Sequence, residues 1–176
     1  GPNFPSQFEW SCRFGSEQDV VSAVLLNYSA IVCVTPAKPA QNVSVELSQN
    51  RQQFTQSGLL FEYHVPFEVI LVHPRQGPSS GGTLVLIDGR HFSRRAAILG
   101  STRCRFSSIV VPAIVLNENQ IQCVAPRNRA TQTILQVSSN AQNFVGSTNF
   151  SHLGFTTLSL WPTLALETGG TTLTIQ

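Results

Sequence analysis

Apolar and polar residues alternate along this chain in short runs, and turn-forming residues separate the runs. In NVSVEL (42–47), Val43, Val45 and Leu47 alternate with Asn42, Ser44 and Glu46, which predicts a strand with one dry face and one wet face. FEVILV (67–72), TLVLID (83–88), IVVPAIVL (109–116) and TILQV (133–137) are rich in β-branched residues and read as further strands. RQGPSSGG (75–82), NENQ (117–120), APRNRA (125–130) and SSNAQN (138–143) read as the turns between them. No window sustains a 3.6-residue period, and RRAAIL (94–99) is too short to predict a helix.

The pattern repeats. Cys33-Val34-Thr35-Pro36 returns as Cys123-Val124-Ala125-Pro126, 90 residues later. Leu26-Asn27, Ser48, Asn50 and Phe54 match Leu116-Asn117, Ser138, Asn140 and Phe144 at the same offset, and Cys12-Arg13-Phe14 matches Cys104-Arg105-Phe106 at 92. A third copy begins late: Phe67 to Pro74 aligns with Phe155 to Pro162 at 88, and Gly81-Gly82-Thr83 with Gly169-Gly170-Thr171. A unit of about 90 residues holding about seven short strands predicts a β-sandwich. Within it, Gly81 and Gly82 permit a tight turn into a strand, Pro78 presets that turn, and Phe92 and Phe106 are large enough to fill the space between two sheets.

HPRQGPSSGGTLVLIDGRHF (73–92), followed by CRF (104–106), IQCVAP (121–126) and VSSNAQNF (137–144), resembles the IPT/TIG immunoglobulin-like domains shared by plexins, Met-type receptors and some transcription factors. The resemblance runs over nearly the whole chain in successive copies and departs at Thr163-Leu164-Ala165-Leu166, where the Gly-Pro of the turn is absent. It implies tandem immunoglobulin-like β-sandwiches: residues 1–66 as a domain lacking its first strands, 67–154 as a complete domain, and 155–176 as the first strands of a third unit.

Composition narrows the function. Charged residues are 11 % of the chain, well below the usual share, and the net charge of +2 is spread thinly. Nucleic-acid binding, which needs clustered basic residues, is therefore not expected. No apolar stretch is long enough for a membrane span, and the first residues lack the basic start and apolar core of a signal peptide. The four cysteines fall two per unit, and of three possible pairings the repeat selects Cys12–Cys33 and Cys104–Cys123, which points to an oxidising compartment.

Three sequons, at Asn27, Asn42 and Asn149, are candidate N-glycosylation sites, with Asn42 on the wet face of its strand beside Glu46. Glycans would solubilise a surface poor in charge. Gly77-Pro78-Ser79-Ser80-Gly81 matches the nucleophile string GxSxG, but a strand follows it where that chemistry needs a helix. The four histidines are scattered and no CxxC occurs, so neither a zinc site nor any other cofactor is expected. The sequence reads as non-enzymatic.

The ends of the chain meet in register. Ile175-Gln176 aligns with Ile87-Asp88, and Gly1-Pro2-Asn3-Phe4 with Gly89-Arg90-His91-Phe92, so the 176 residues are expected to be two units cut inside a domain. That phase fits a window on a covalent array, or head-to-tail association in which one copy completes the next. The assembly strands would then be carried by Leu158, Leu160, Trp161, Gly169, Gly170, Thr171, Leu173 and Ile175. YHVPFEVI (63–70) and LGFTTLSL (153–160) contain no flexible linker, which predicts domains stacked end to end. A structural or adhesive extracellular rod or fibril is the leading expectation. A ligand-binding ectodomain stalk of a plexin- or Met-like receptor is the alternative.

Overall fold

The structure, a computed structural model, describes residues 4–154 and 159–175. The chain divides into two compact units between Pro66 and Phe67. The first contains β1 (Ser11–Phe14), β2 (Val20–Asn27), β3 (Ala30–Cys33), β4 (Gln41–Ser48) and β5 (Leu60–Tyr63). The second contains β6 (Glu68–His73), β7 (Gln76–Pro78), β8 (Leu84–Arg90), α1 (Arg94–Ile98), β9 (Arg103–Phe106), β10 (Ile109–Asn117), β11 (Gln120–Val124), β12 (Gln132–Ser138) and β13 (Val145–Leu153). A short hairpin, β14 (Leu160–Trp161) and β15 (Thr174–Ile175), follows.

In the second unit the strand order is β6-β8-β11-β10-β9-β12-β13-β7. β10 makes this a sandwich. Its first half, Ile109 to Pro112, pairs with β9, while Ala113 to Asn117 pair with β11, so one strand passes from one layer to the other. Inward-facing Val72, Val85, Ile87, Ile121, Leu135 and Val137 fill the space between layers with Phe67, Phe92, Phe106 and Phe150. Phe106 meets Phe150 edge to face at 5.4 Å.

The first unit repeats half of this plan. β2 pairs with β1 through Val20 to Ser22 and with β3 through Ala23 to Asn27, and the order is β3-β2-β1-β4-β5. Counterparts of β6, β7 and β8 are absent from it among the described residues. Its buried core is Cys12, Phe14 and Val43, with Val21, Ala23, Cys33, Val45, Leu47 and Tyr63 packed against it.

The landmarks that repeat in sequence make the same contacts in both units. Asn50 Oδ1 accepts the backbone N–H groups of Gln52 and Gln53, and Asn140 Oδ1 those of Gln142 and Asn143, closing the same turn after β4 and after β12. Arg13 lies 4.3 Å over the Phe54 ring, and Arg105 lies 4.1 Å over Phe144.

Three local expectations change. RQGPSSGG is not all turn: Gln76–Pro78 form β7, which pairs in parallel with β13. Pro78 is the last residue of that strand, and its carbonyl accepts from Gly81 N–H to close the turn. RRAAIL does form a helical turn, because Ser93 Oγ accepts the Ala96 N–H as an N-cap. Glu46 does not lie on a wet face. It is buried, because the segment 55–58 folds over that side of β4. Thr55 Oγ1 and the N–H groups of Ser57 and Gly58 donate to its carboxylate.

These donors, the Thr55 hydroxyl foremost, hold the Glu46 carboxyl at about 2, against desolvation that acts the other way. Because the folded value lies below the unfolded one, the unfolded chain binds more protons between them. The stabilisation is therefore complete above about pH 4.5 and is lost as pH falls towards 2. At the matching position the second unit carries Gln136, which accepts from Arg105 instead. Glu46→Gln is expected to flatten the acid dependence of the first unit's stability, read as denaturation midpoints at pH 5 and pH 2.5. An unchanged pH slope would exclude this role for Glu46.

Candidate functional site

The second unit defines what a complete unit requires. There β11 lies between β10 and β8, with Ile121 opposite Ile87, Gln122 opposite Leu86 and Cys123 opposite Val85. In the first unit the matching strand, β3, pairs with β2 on one side and is the edge of its sheet. Ile31 and Cys33, the counterparts of the buried Ile121 and Cys123, remain partly exposed. Phe4 N–H donates to Tyr28 O at 2.7 Å, as Phe92 N–H donates to Glu118 O at 3.0 Å directly after β8.

The hairpin at 160–175 repeats the β6–β8 pairing of the second unit. Leu160 pairs with Ile175 and Trp161 with Thr174, as Val72 pairs with Ile87 and His73 with Leu86. Gly169 and Gly170 have φ of +77° and +85°, beside +81° and +88° at Gly81 and Gly82. In the second unit this turn is crowded: a Cβ on Gly81 would lie 2.5 Å from Arg127 N. At Gly169 nothing lies within 4 Å of the same point. β14 and β15 pair with each other in a two-stranded sheet of their own. Ile175 is 62 % exposed and Leu173 49 %, whereas their counterparts Ile87 and Val85 are both 0 % exposed. Leu160, Trp161, Gly169, Gly170 and Thr171 are exposed as well, and Leu158 lies outside the described residues.

The cysteines pair within units. Cys12–Cys33 ties β1 to β3 with Cα atoms 6.3 Å apart, and Cys104–Cys123 ties β9 to β11 at 6.4 Å. Asn27, Asn42 and Asn149 are all exposed. Asn27 Oδ1 accepts from Ser29 N–H and Oγ–H in the β2–β3 turn, while Asn42 and Asn149 stand on β4 and β13. Ser79 and Ser80 follow β7 in a turn fixed by backbone bonds from Ser79 N–H to Leu153 O and from Asn128 N–H to Ser79 O. His152, buried nearby, directs Nε2 to Thr133 Oγ1 at 3.0 Å, and burial holds its imidazole below the usual value. No group of three or more His, Cys, Asp or Glu among the described residues could hold a metal ion. No helix among them is long and apolar enough to cross a membrane.

Arg13 and Arg105 were legible in the sequence only as part of a repeat. Their partners Phe54 and Phe144 also repeat, and that joint recurrence is the signal from which the cation–π contact could have been read.

Strands that are mostly antiparallel, a strand that crosses between layers and a disulfide in each unit define tandem immunoglobulin-like β-sandwiches. A family model described as the IPT/TIG domain matches residues 1–63 and again 68–157, and the chain belongs to that family. Among solved structures, one of the full extracellular region of plexin A4 is similar at 18 % identity and TM-score 0.58, over 88 % of this chain and 14 % of that one. A second structure of that region, at 16 % identity, covers 99 % of this chain and 25 % of that chain with TM-score 0.47. The chain thus spans a small part of the proteins it is similar to, and the first likeness shows the fold. No curated protein matches the chain.

Two outcomes are expected from these placements. Protein made in a secretory pathway carries an N-linked sugar on at least one of Asn27, Asn42 and Asn149; enzymatic removal followed by mass spectrometry would reveal it as Asn-to-Asp conversion. Three unmodified amides would exclude glycosylation. A fluorophosphonate probe leaves Ser79 and Ser80 unlabelled, and labelling of either would overturn the reading of that turn as non-catalytic.

Proposed function

We propose that the chain is a structural or adhesive extracellular repeat protein whose sandwiches join into a rod or head-to-tail fibril. The observation that carries this reading is the repetition of one strand plan along the chain. The two units share one strand plan and the same turn and ring contacts, and the hairpin at 160–175 repeats the β6–β8 pairing of the second unit. Two short strands cannot stabilise such a hairpin alone, so it calls for a further sheet, in a neighbouring repeat or in another copy. The partners are other copies of this chain or covalently neighbouring repeats, not nucleic acid. The paired cysteines support an extracellular setting, with N-linked glycans and no other prosthetic group. The work is mechanical and non-enzymatic.

A second reading, a ligand-binding ectodomain stalk of a plexin- or Met-like receptor, is favoured by the likeness to the plexin A4 extracellular region. Electron microscopy and light scattering of the secreted chain separate the two. Filaments are expected, with an axial repeat of about 70 Å from two stacked sandwiches of roughly 35 Å each. A chain ending at Gly154 is expected to remain monomeric. Residues 1–176 staying at their 19.2 kDa protein mass at every concentration would overturn the fibril and favour the stalk.

A further inference from the structure

The second unit holds a groove of about 820 Å³ between its 71–76 segment and β13. Resting on the extracellular setting proposed above, we propose that Asn149 carries an N-linked glycan whose first N-acetylhexosamine is seated in that groove.

The groove arises from where strand pairing stops. β13 pairs with β12 on one side from Val145 to Ser151, but with β7 on the other only from Ser151 to Leu153. β6 ends at His73, and Pro74 and Arg75 carry the chain across to β7. Ser151 N–H donates to Arg75 O at 2.9 Å, which ties the two walls together. Before Ser151 this edge of β13 has no strand partner among the described residues, and Ser147 to Asn149 lie along the opening. Of the three sequons, Asn149-Phe150-Ser151 is the one whose asparagine lines the groove. Phe150 is fully buried, so alternation turns Asn149 away from the core. The Asn149 amide has no hydrogen-bond partner among the described residues, whereas Asn27 Oδ1 is taken by Ser29.

The lining suits an N-acetylhexosamine. Leu71 and Pro74 offer apolar surface to the acetamide methyl and the C–H face of the ring. His73, Arg75 and Gln76 offer hydrogen-bonding groups to the hydroxyls and the acetamide carbonyl. The Arg75 and Gln76 side chains have no partner among the described residues, so a sugar displaces no contact. The groove is also of the size of small-ligand sites, which run roughly 300–1,000 Å³. Attachment takes a polyprenyl diphosphate-linked oligosaccharide as donor. Asn149 Nδ2 bonds to C1 of the sugar, the C1–O bond breaks with its electron pair going to the diphosphate, and one amide proton passes to solvent. Once seated, the sugar covers the open edge of β13 and blocks the strand pairing that such an edge invites.

The test uses residues 1–176 secreted by cells supplied with N-acetylglucosamine isotope-labelled in its acetamide methyl. Nuclear Overhauser contacts are expected from that methyl to Leu71 or Pro74. Peptide N-glycosidase is expected to release the Asn149 sugar from the native protein more slowly than from the unfolded chain. Arg75 is exposed and unpartnered, so Arg75→Ala keeps the fold. That variant is expected to leave occupancy of Asn149 unchanged and to speed native release roughly tenfold, the factor one charge-assisted hydrogen bond supplies. An unmodified Asn149 in protein glycosylated at Asn27 or Asn42 would overturn the site and leave the glycoprotein reading standing. A modified Asn149 without contacts to Leu71 or Pro74, or with native release unchanged in Arg75→Ala, would overturn the seat. Three unmodified asparagines would overturn both this inference and the glycoprotein reading.

Discussion

A strand inside an antiparallel sheet has its backbone donors and acceptors taken on both sides, and a sandwich depends on that condition at the strands bordering its core. In the second unit β11 satisfies it between β10 and β8, and the fully buried Ile121, Cys123, Val85 and Ile87 depend on the arrangement. In the first unit β3 pairs with β2 alone among the described residues. Among the described residues, Ile31 and Cys33 are partly exposed, and the buried centre of the first unit lies around Phe14. The disulfide from Cys12 to Cys33 anchors the edge strand in spite of this, because it links β3 to the well-paired β1.

The features legible in the sequence are those with local chemical causes. A turn with φ near +80° at two successive residues needs glycine, so Gly81-Gly82 and Gly169-Gly170 stand out. An asparagine that accepts two backbone N–H groups is similarly hard to replace, which marks Asn50 and Asn140. Cysteines repeated as pairs announced their partners. Alternation identified most strands, since a half-buried strand exposes every second residue.

Features set by distant parts of the chain were not legible. β7 is three residues long and owes its existence to β13, more than seventy residues away, so no local pattern reveals it. Glu46 occupies a position of wet parity, yet the 55–58 segment supplies enough donors to bury a carboxylate there. The short helix at Arg94–Ile98 rests on one cap and no periodicity. For the candidate site, the repeat offsets identified the hairpin residues. The emptiness around Gly169 and the anchoring of Phe4 at Tyr28 are spatial facts that offsets alone do not contain.

The two disulfides also govern how such a chain responds to stretching. Each closes a loop within its own unit, 21 residues apart in the first and 19 in the second. Tension applied at the chain ends passes from cysteine to cysteine through sulfur, so the residues between them cannot be drawn out. At about 3.5 Å of contour per extended residue, each bridge removes several tens of ångströms from the length a unit can yield. The edge strand β3 lies inside such a loop at its Cys33 end. A pull that frays the ends of the first unit therefore leaves the β2–β3 pair within a covalently closed segment.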